Sequence, residues 1–149
     1  MTLNCNGQLI DVSTPKVMGI LNITPDSFYD GGFYNSEKKI LQQTEKMLNE
    51  GATFIDLGAY SSRPKAKHIS EDEELKRIIP VVELILKEFP NTLLSVDTFR
   101  SAVAKSSINA GACMINDISA GGLDNNMMHT IASLQVPYIM MHIKGTPQN

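Results

Sequence analysis

The chain of 149 residues has no tryptophan, two cysteines and only 6% aromatic residues. Cys5 and Cys113 form no metal-ligand spacing and no disulfide framework, so both are expected as free thiols. Cys113 lies in an apolar stretch, which suits packing rather than chemistry. No segment approaches the ~20 consecutive apolar residues of a membrane-spanning helix. The start, Met1 to Val12, lacks a basic n-region and an apolar h-region, so no signal peptide is expected. The expected compartment is the cytoplasm. Basic residues are not in excess: 13 Lys and Arg stand against 16 Asp and Glu, a net charge of −3. That balance speaks against nucleic acid and against an anionic membrane surface as partners. There is no low-complexity stretch and no linker.

What is present is ordinary for one globular domain over residues 1–149. The chain is 42% hydrophobic and 19% charged, and it is long enough to bury a core. Asn6-Gly7 sits between short apolar arms in 3–12, the pattern of a hairpin with a type I′ turn. Five short apolar runs follow: Val17–Leu21, Phe54–Leu57, Leu93–Val96, Met114-Ile115 and Tyr138–Met141. Such runs read as strands buried on both faces.

Helical patterns separate them. The first covers roughly 37–50, with Ser36 as expected N-cap and Gly51 as the residue after the C-cap. The second opens on Ser70-Glu71-Asp72-Glu73, a capping-box pattern, and runs to Phe89. Pro80 removes one backbone donor there and is expected to kink it. The third, about 99–110, ends at Gly111. The fourth, about 124–134, carries Met127, Met128, Ile131 and Leu134, expected to be core. Strand and helix alternate, which predicts a parallel sheet with right-handed crossovers. A doubly wound five-stranded sheet and an incomplete (β/α)₈ barrel both fit this order; the full barrel needs about 250 residues.

Each strand pattern ends in a polar group: Asn22, Asp56 leading into Gly58–Pro64, Asp97, Asn116-Asp117 and His142. Any one of these can be a helix cap. Together they predict a site, because strand C-termini converge on one face in parallel α/β folds. An ionised Asp97 only accepts hydrogen bonds, whereas the Asn116 amide donates and accepts. The pair suits the edge of a planar heterocycle. Asn22 is a neutral oxygen donor suited to Mg²⁺ beside a phosphate. Ser62 adds a hydroxyl and Arg63 a fork for oxyanions. The three histidines form no metal site; His142 alone stands at a strand end. The loops 24–35 and 59–69 are long for such connections and are expected to cover the site.

These segments resemble one family. Ile20–Gly32, with its Thr24-Pro25-Asp26-Ser27-Phe28 core, is similar to the first loop of dihydropteroate synthases. Ser61-Ser62-Arg63-Pro64 resembles their second loop and Ser95–Thr98 their third strand end. Ile115–Ile118 resembles the fourth and Met141–Pro147 the fifth. The resemblance runs over nearly the whole chain, in order. It implies a partial (β/α)₈ barrel of about five parallel strands and four helices, preceded by a hairpin.

The implied reaction condenses 6-hydroxymethyl-7,8-dihydropterin diphosphate with p-aminobenzoate and releases pyrophosphate, by an SN1-like course with Mg²⁺. The resemblance implies that Asp97 and Asn116 bind the pterin ring and that Met140 packs near it, with Ile118 also among the substrate-binding residues. It implies that Ser62 and Asn22 lie toward the diphosphate, with Asn22 assisting the metal. Asp30 and Arg63 would support the reaction, and Phe28 and Pro64 would line the p-aminobenzoate pocket where sulfonamides compete.

Tyr60 stands where the family commonly has an acidic or amide residue, Ser62 where Thr is common, and Lys65 where glycine is usual. Family residues beyond the fifth strand have no counterpart in the 149. The chain alone is therefore expected to be nearly inactive, with unpaired outer strands, and the full-length protein to be a homodimer. Alternative readings are a pterin- or phosphate-binding fragment without turnover, and a pterin-dependent methyltransferase-like domain.

Overall fold

The computed structural model describes residues 1–23, 33–60 and 68–144, with the side chains of 33–35 excepted. Two strands, β1 (Thr2–Cys5) and β2 (Gln8–Asp11), pair antiparallel with Cys5 opposite Gln8. Asn6 and Gly7 between them have φ of 53° and 83°. Both positive values are what a type I′ turn demands, and Asn and Gly tolerate them.

The remaining strands form one parallel sheet: β3 (Met18–Asn22), β4 (Phe54–Gly58), β5 (Leu93–Asp97), β6 (Met114–Asp117) and β7 (Tyr138–Met140). The helices among the described residues are α1 (Phe33–Asn49), α2 (Glu71–Glu88), α3 (Ser101–Asn109) and α4 (Met127–Leu134). Strand order is β3-β4-β5-β6-β7, strictly sequential. A doubly wound sheet reverses direction at a switch point. This sheet never does, so the doubly wound alternative falls. Right-handed crossovers that always step the same way put every helix on one face, as in a barrel wall.

The burial pattern agrees. Leu21, Leu57, Val96 and Ile115 are buried on the helix face, against Ile40 of α1, Ile78, Val82 and Ile85 of α2, Ala104 of α3 and Met127 and Ile131 of α4. Of the α4 methionines, Met127 is core but Met128 is 50% exposed. On the opposite face, the base of the sheet is closed by the hairpin. Cys5 and Ile10 pack there with Phe54, Cys113 and Met114, and Met18 and Leu93 join the cluster. Both cysteines are buried and free.

Helix ends follow their local chemistry. The Glu73 N–H donates to Ser70 Oγ at 3.2 Å, so Ser70 caps α2. The Glu73 carboxylate accepts from Arg77 Nε at 2.8 Å. Helix α2 is continuous through Pro80. Helix α3 closes with Gly111 at φ 115°, the Gly111 N–H donating to Ile108 O and the Ala112 N–H to Ser107 O. That is the Schellman pattern, and Gly51 closes α1 the same way.

Two expected helix starts are corrected. Ser36 is not an N-cap, because α1 begins at Phe33 and Ser36 is a buried residue inside it. Helix α4 begins at Met127 and not near 124. One Asp124 oxygen accepts the Ser101 N–H at 2.7 Å and caps α3, and the other accepts the Asn126 N–H at 2.9 Å just ahead of α4. Among the described residues, no helix is long and apolar enough to cross a membrane.

Candidate active site

Register places the polar strand ends in one row. Asn22 pairs with Gly58, Gly58 with Asp97, and Asp97 with Asn116. Residues in one row of a sheet project to the same face. The neighbouring row, Leu21, Leu57, Val96 and Ile115, faces the helices, so the polar row faces the other side. Gly58 is the gap in the row. A methyl group there would lie 3.6 Å from Asn22 Oδ1 and 3.8 Å from Asp97 Oδ2, so the two oxygens flank it.

One step down the same face is the row of Ile20, Asp56, Ser95 and Met114. Asp56 is 3% exposed. Asn116 Nδ2 donates to Asp56 Oδ2 at 3.1 Å, while Asn116 Oδ1 is buried with no partner among the described residues. The amide thus uses a donor internally and holds an acceptor in reserve. Burial pushes the Asp56 carboxyl above its ordinary range, offset in part by Ser95 and Asn116.

Asp97 is pushed further, to about 7, first by burial and then by the negative charges of Asp56, Glu74 and Asp117. A carboxylate so crowded gains from any ligand that brings donors or positive charge. Perturbed acids at strand C-termini mark a functional site.

The other strand-end acid is different. Asp117 is fully buried and accepts from Ser119 N–H and Ser119 Oγ, each at 2.8 Å. It also accepts from Gly121 N–H at 2.8 Å and Tyr138 Oη at 2.6 Å. Four donors leave Asp117 as the knot of the β6 turn. Burial and Asp117 together raise the Tyr138 phenol above its ordinary value.

Met140 does not join the polar row. It pairs with Asp117, on the helix-side row, and the β7 residue opposite Asn116 is Ile139. Ile118 is half-buried just past β6, and His142 is exposed past β7. Phe28, Asp30, Ser62, Arg63 and Pro64 lie outside the described residues, as do most of the two long loops.

Beside the row is a second cluster that the sequence patterns did not single out. Glu74 of α2 is fully buried and paired with Arg100, which stands at the N-cap of α3. Arg100 Nη2 also donates to Ile69 O at 2.7 Å. Its guanidinium lies 5.4 Å from the Tyr60 ring centroid and 4.9 Å from that of Phe99. Burial raises the Glu74 carboxyl, while Thr98 and Arg100 oppose the rise.

Among the described residues, no group of three or more His, Cys, Asp and Glu is placed to hold a metal. Asn22 Oδ1, exposed at the end of β3, is the hard oxygen donor of the row. A magnesium ion held by one protein oxygen, waters and substrate phosphates is compatible with that donor set.

Comparison with known proteins matches residues 18–149 to the model of the pterin binding enzyme family. The mitochondrial folate synthesis bifunctional protein of Pisum sativum is 52% identical over 144 residues, 95% of this chain and 28% of that protein. The Yersinia pestis dihydropteroate synthase, solved with a sulfonamide drug, is 45% identical with a TM-score of 0.86. It is matched over 100% of this chain and 53% of its own. The Xanthomonas albilineans dihydropteroate synthase, solved with 4-aminobenzoic acid, is 38% identical with a TM-score of 0.87, over 96% and 52%. The chain thus spans about half the length of these synthases and less of the pea protein. Five sequential parallel strands, a hairpin and helices on one face are the first part of their barrel, and the chain belongs to the pterin binding enzyme family.

Proposed function

We propose that the chain is the N-terminal, pterin-holding part of a dihydropteroate synthase. The reaction is condensation of 6-hydroxymethyl-7,8-dihydropterin diphosphate with p-aminobenzoate, releasing pyrophosphate. One observation carries this reading: Asp97 and Asn116 share a row at the strand C-termini, with Asn116 Oδ1 buried and unpartnered among the described residues. A buried acceptor without a partner costs free energy that a bound N–H or amino group recovers. A pterin ring offers such groups along one edge. The synthase names of the relatives and the 4-aminobenzoic acid and sulfonamide in the two solved structures support the second substrate and its competitors.

In this reading Asp97 and Asn116 take the ring edge and Ile118 packs near them. Met140 belongs to this pocket only if β7 turns it toward the ligand, since its register partner is Asp117. Asn22 and Ser62 lie toward the diphosphate. Asn22 helps hold Mg²⁺, which when bound stabilises charge on the departing pyrophosphate. Arg63 and Asp30 support the reaction, with the Asp30 carboxylate beside the positive charge that develops on the pterin methylene. Phe28 and Pro64 line the p-aminobenzoate pocket. The full-length protein is a cytoplasmic homodimer and needs neither nucleic acid nor membrane.

The test is a pair of measurements on the 149-residue chain. Calorimetry with the dihydropterin diphosphate gives saturable binding that Asp97→Ala abolishes. Pyrophosphate release with p-aminobenzoate stays at the uncatalysed rate, because the reading assigns the rest of the catalytic machinery to residues outside these 149. No binding by the folded chain contradicts the pterin-holding role. Turnover by the homogeneous chain contradicts the division of labour.

A further inference from the structure

The polar row has a buried carboxylate beneath it that makes none of the proposed pterin contacts. Asp56 lies in the middle of β4, between Ile55 and Leu57, in a strand buried along its whole length. An ionisable group inside such a strand is costly and rarely kept without a partner. Its partner here is Asn116 Nδ2, two strands away, at 3.1 Å.

An amide side chain can turn end for end, exchanging a donor for an acceptor. Asn116 is therefore ambiguous on its own. A carboxylate beneath it removes the ambiguity, because an ionised carboxylate only accepts. Nδ2 must face Asp56, and Oδ1 must then be the atom left over. That is the atom found buried with no partner among the described residues.

We propose that Asp56 is a positioning residue, holding the Asn116 amide so that Oδ1 stands ready to accept from the bound heterocycle. The proposal rests on the pterin reading for its ligand but not for its geometry. It also gives the ligand a chemical requirement: the atom it places against Asn116 carries hydrogen. The polar groups that act on Asp56 are Ser95 on β5 and Asn116 itself, while the charges of Asp56, Glu74 and Asp117 all act on Asp97.

The experiment is a double-mutant cycle read by calorimetry with 6-hydroxymethylpterin, using Asp56→Ala, Asn116→Ala and the double variant. Loss of a charge-assisted hydrogen bond predicts about tenfold weaker binding for Asp56→Ala. If Asp56 acts through Asn116, the double variant binds no worse than Asn116→Ala alone. Asp56→Asn, which keeps the shape and a carbonyl acceptor, restores part of the loss and guards against misfolding. If the two single factors multiply in the double variant, Asp56 acts on the ligand by its own route and the proposal is overturned.

A second readout needs no ligand. The Asn116 Nδ2 proton that meets Asp56 resonates downfield of a solvated amide in the wild type and returns to the solvated value in Asp56→Ala. No change in that resonance also overturns the proposal. Absence of pterin binding in the wild type defeats the pterin reading alone, and the proton signal still decides the role of Asp56.

Discussion

Asp97 bears the least comfortable charge of the polar row, with its carboxyl held at about 7 by burial and by Asp56, Glu74 and Asp117. A folded-state value above the unfolded one means the folded chain holds a proton that the unfolded chain has released. The associated stability is fully present below the ordinary Asp range and is lost as pH rises through about 7. The slope approaches about 1.4 kcal/mol per pH unit within that window. Asp97→Asn removes the titration. Urea denaturation of the ligand-free chain is expected to show the variant more stable than wild type at pH 8 and equal to it near pH 4. The same variant loses pterin binding, since the amide replaces an acceptor with a donor. Equal stability at both pH values would mean that Asp97 is not strained.

Residues differ in how far the sequence betrays them. Asn22, Asp97 and Asn116 were legible because each ends an apolar run. Asp56 was legible as the polar residue of its strand but not as the buried partner of Asn116, although an acid inside Phe54–Leu57 is itself a signal of buried polar pairing. Asp117 looked like its neighbours but serves the turn, which only its four donors reveal.

At the scale of elements, the periodic patterns located the hairpin, the five strands and the intervening helices. Their errors fall at helix starts, where a capping side chain serves whichever N–H lies within reach. Asp124 illustrates this by capping α3 across a gap in sequence with one oxygen while the other accepts the Asn126 N–H ahead of α4. The Glu74–Arg100 pair was invisible because it joins α2 to the N-cap of α3 through tertiary contact alone. Helix C-termini were more reliable, since a positive φ calls for glycine. Gly111 has φ 115°, and a methyl group there would come within 2.5 Å of Leu86 Cδ1. Gly111→Ala is therefore expected to destabilise the chain by about 1–3 kcal/mol. Thermal denaturation checks this; a shift of less than one degree would show that α2 and α3 adjust freely.

At the scale of the molecule, the sheet has two outer strands, β3 and β7, each with one neighbour among the described residues. The face opposite the helices is polar at the strand C-termini and closed by the hairpin at the base. Between them it leaves Ile20 66% exposed. Exposed apolar surface beside open strand edges favours association. The isolated chain is expected to associate with rising concentration in light scattering, and Ile20→Glu to shift it toward monomer. A monomer at all concentrations would show that this face is covered.

The most direct test of the whole account is a backbone amide map of the isotopically labelled 149-residue chain, titrated with 6-hydroxymethylpterin. The account predicts that the largest shifts fall at Asn22, Gly58, Asp97 and Asn116, with Asp56 among them, while the hairpin and the outer faces of the helices stay still. Shifts centred elsewhere, or none at saturating ligand, would contradict the claim that this row is where the pterin is held.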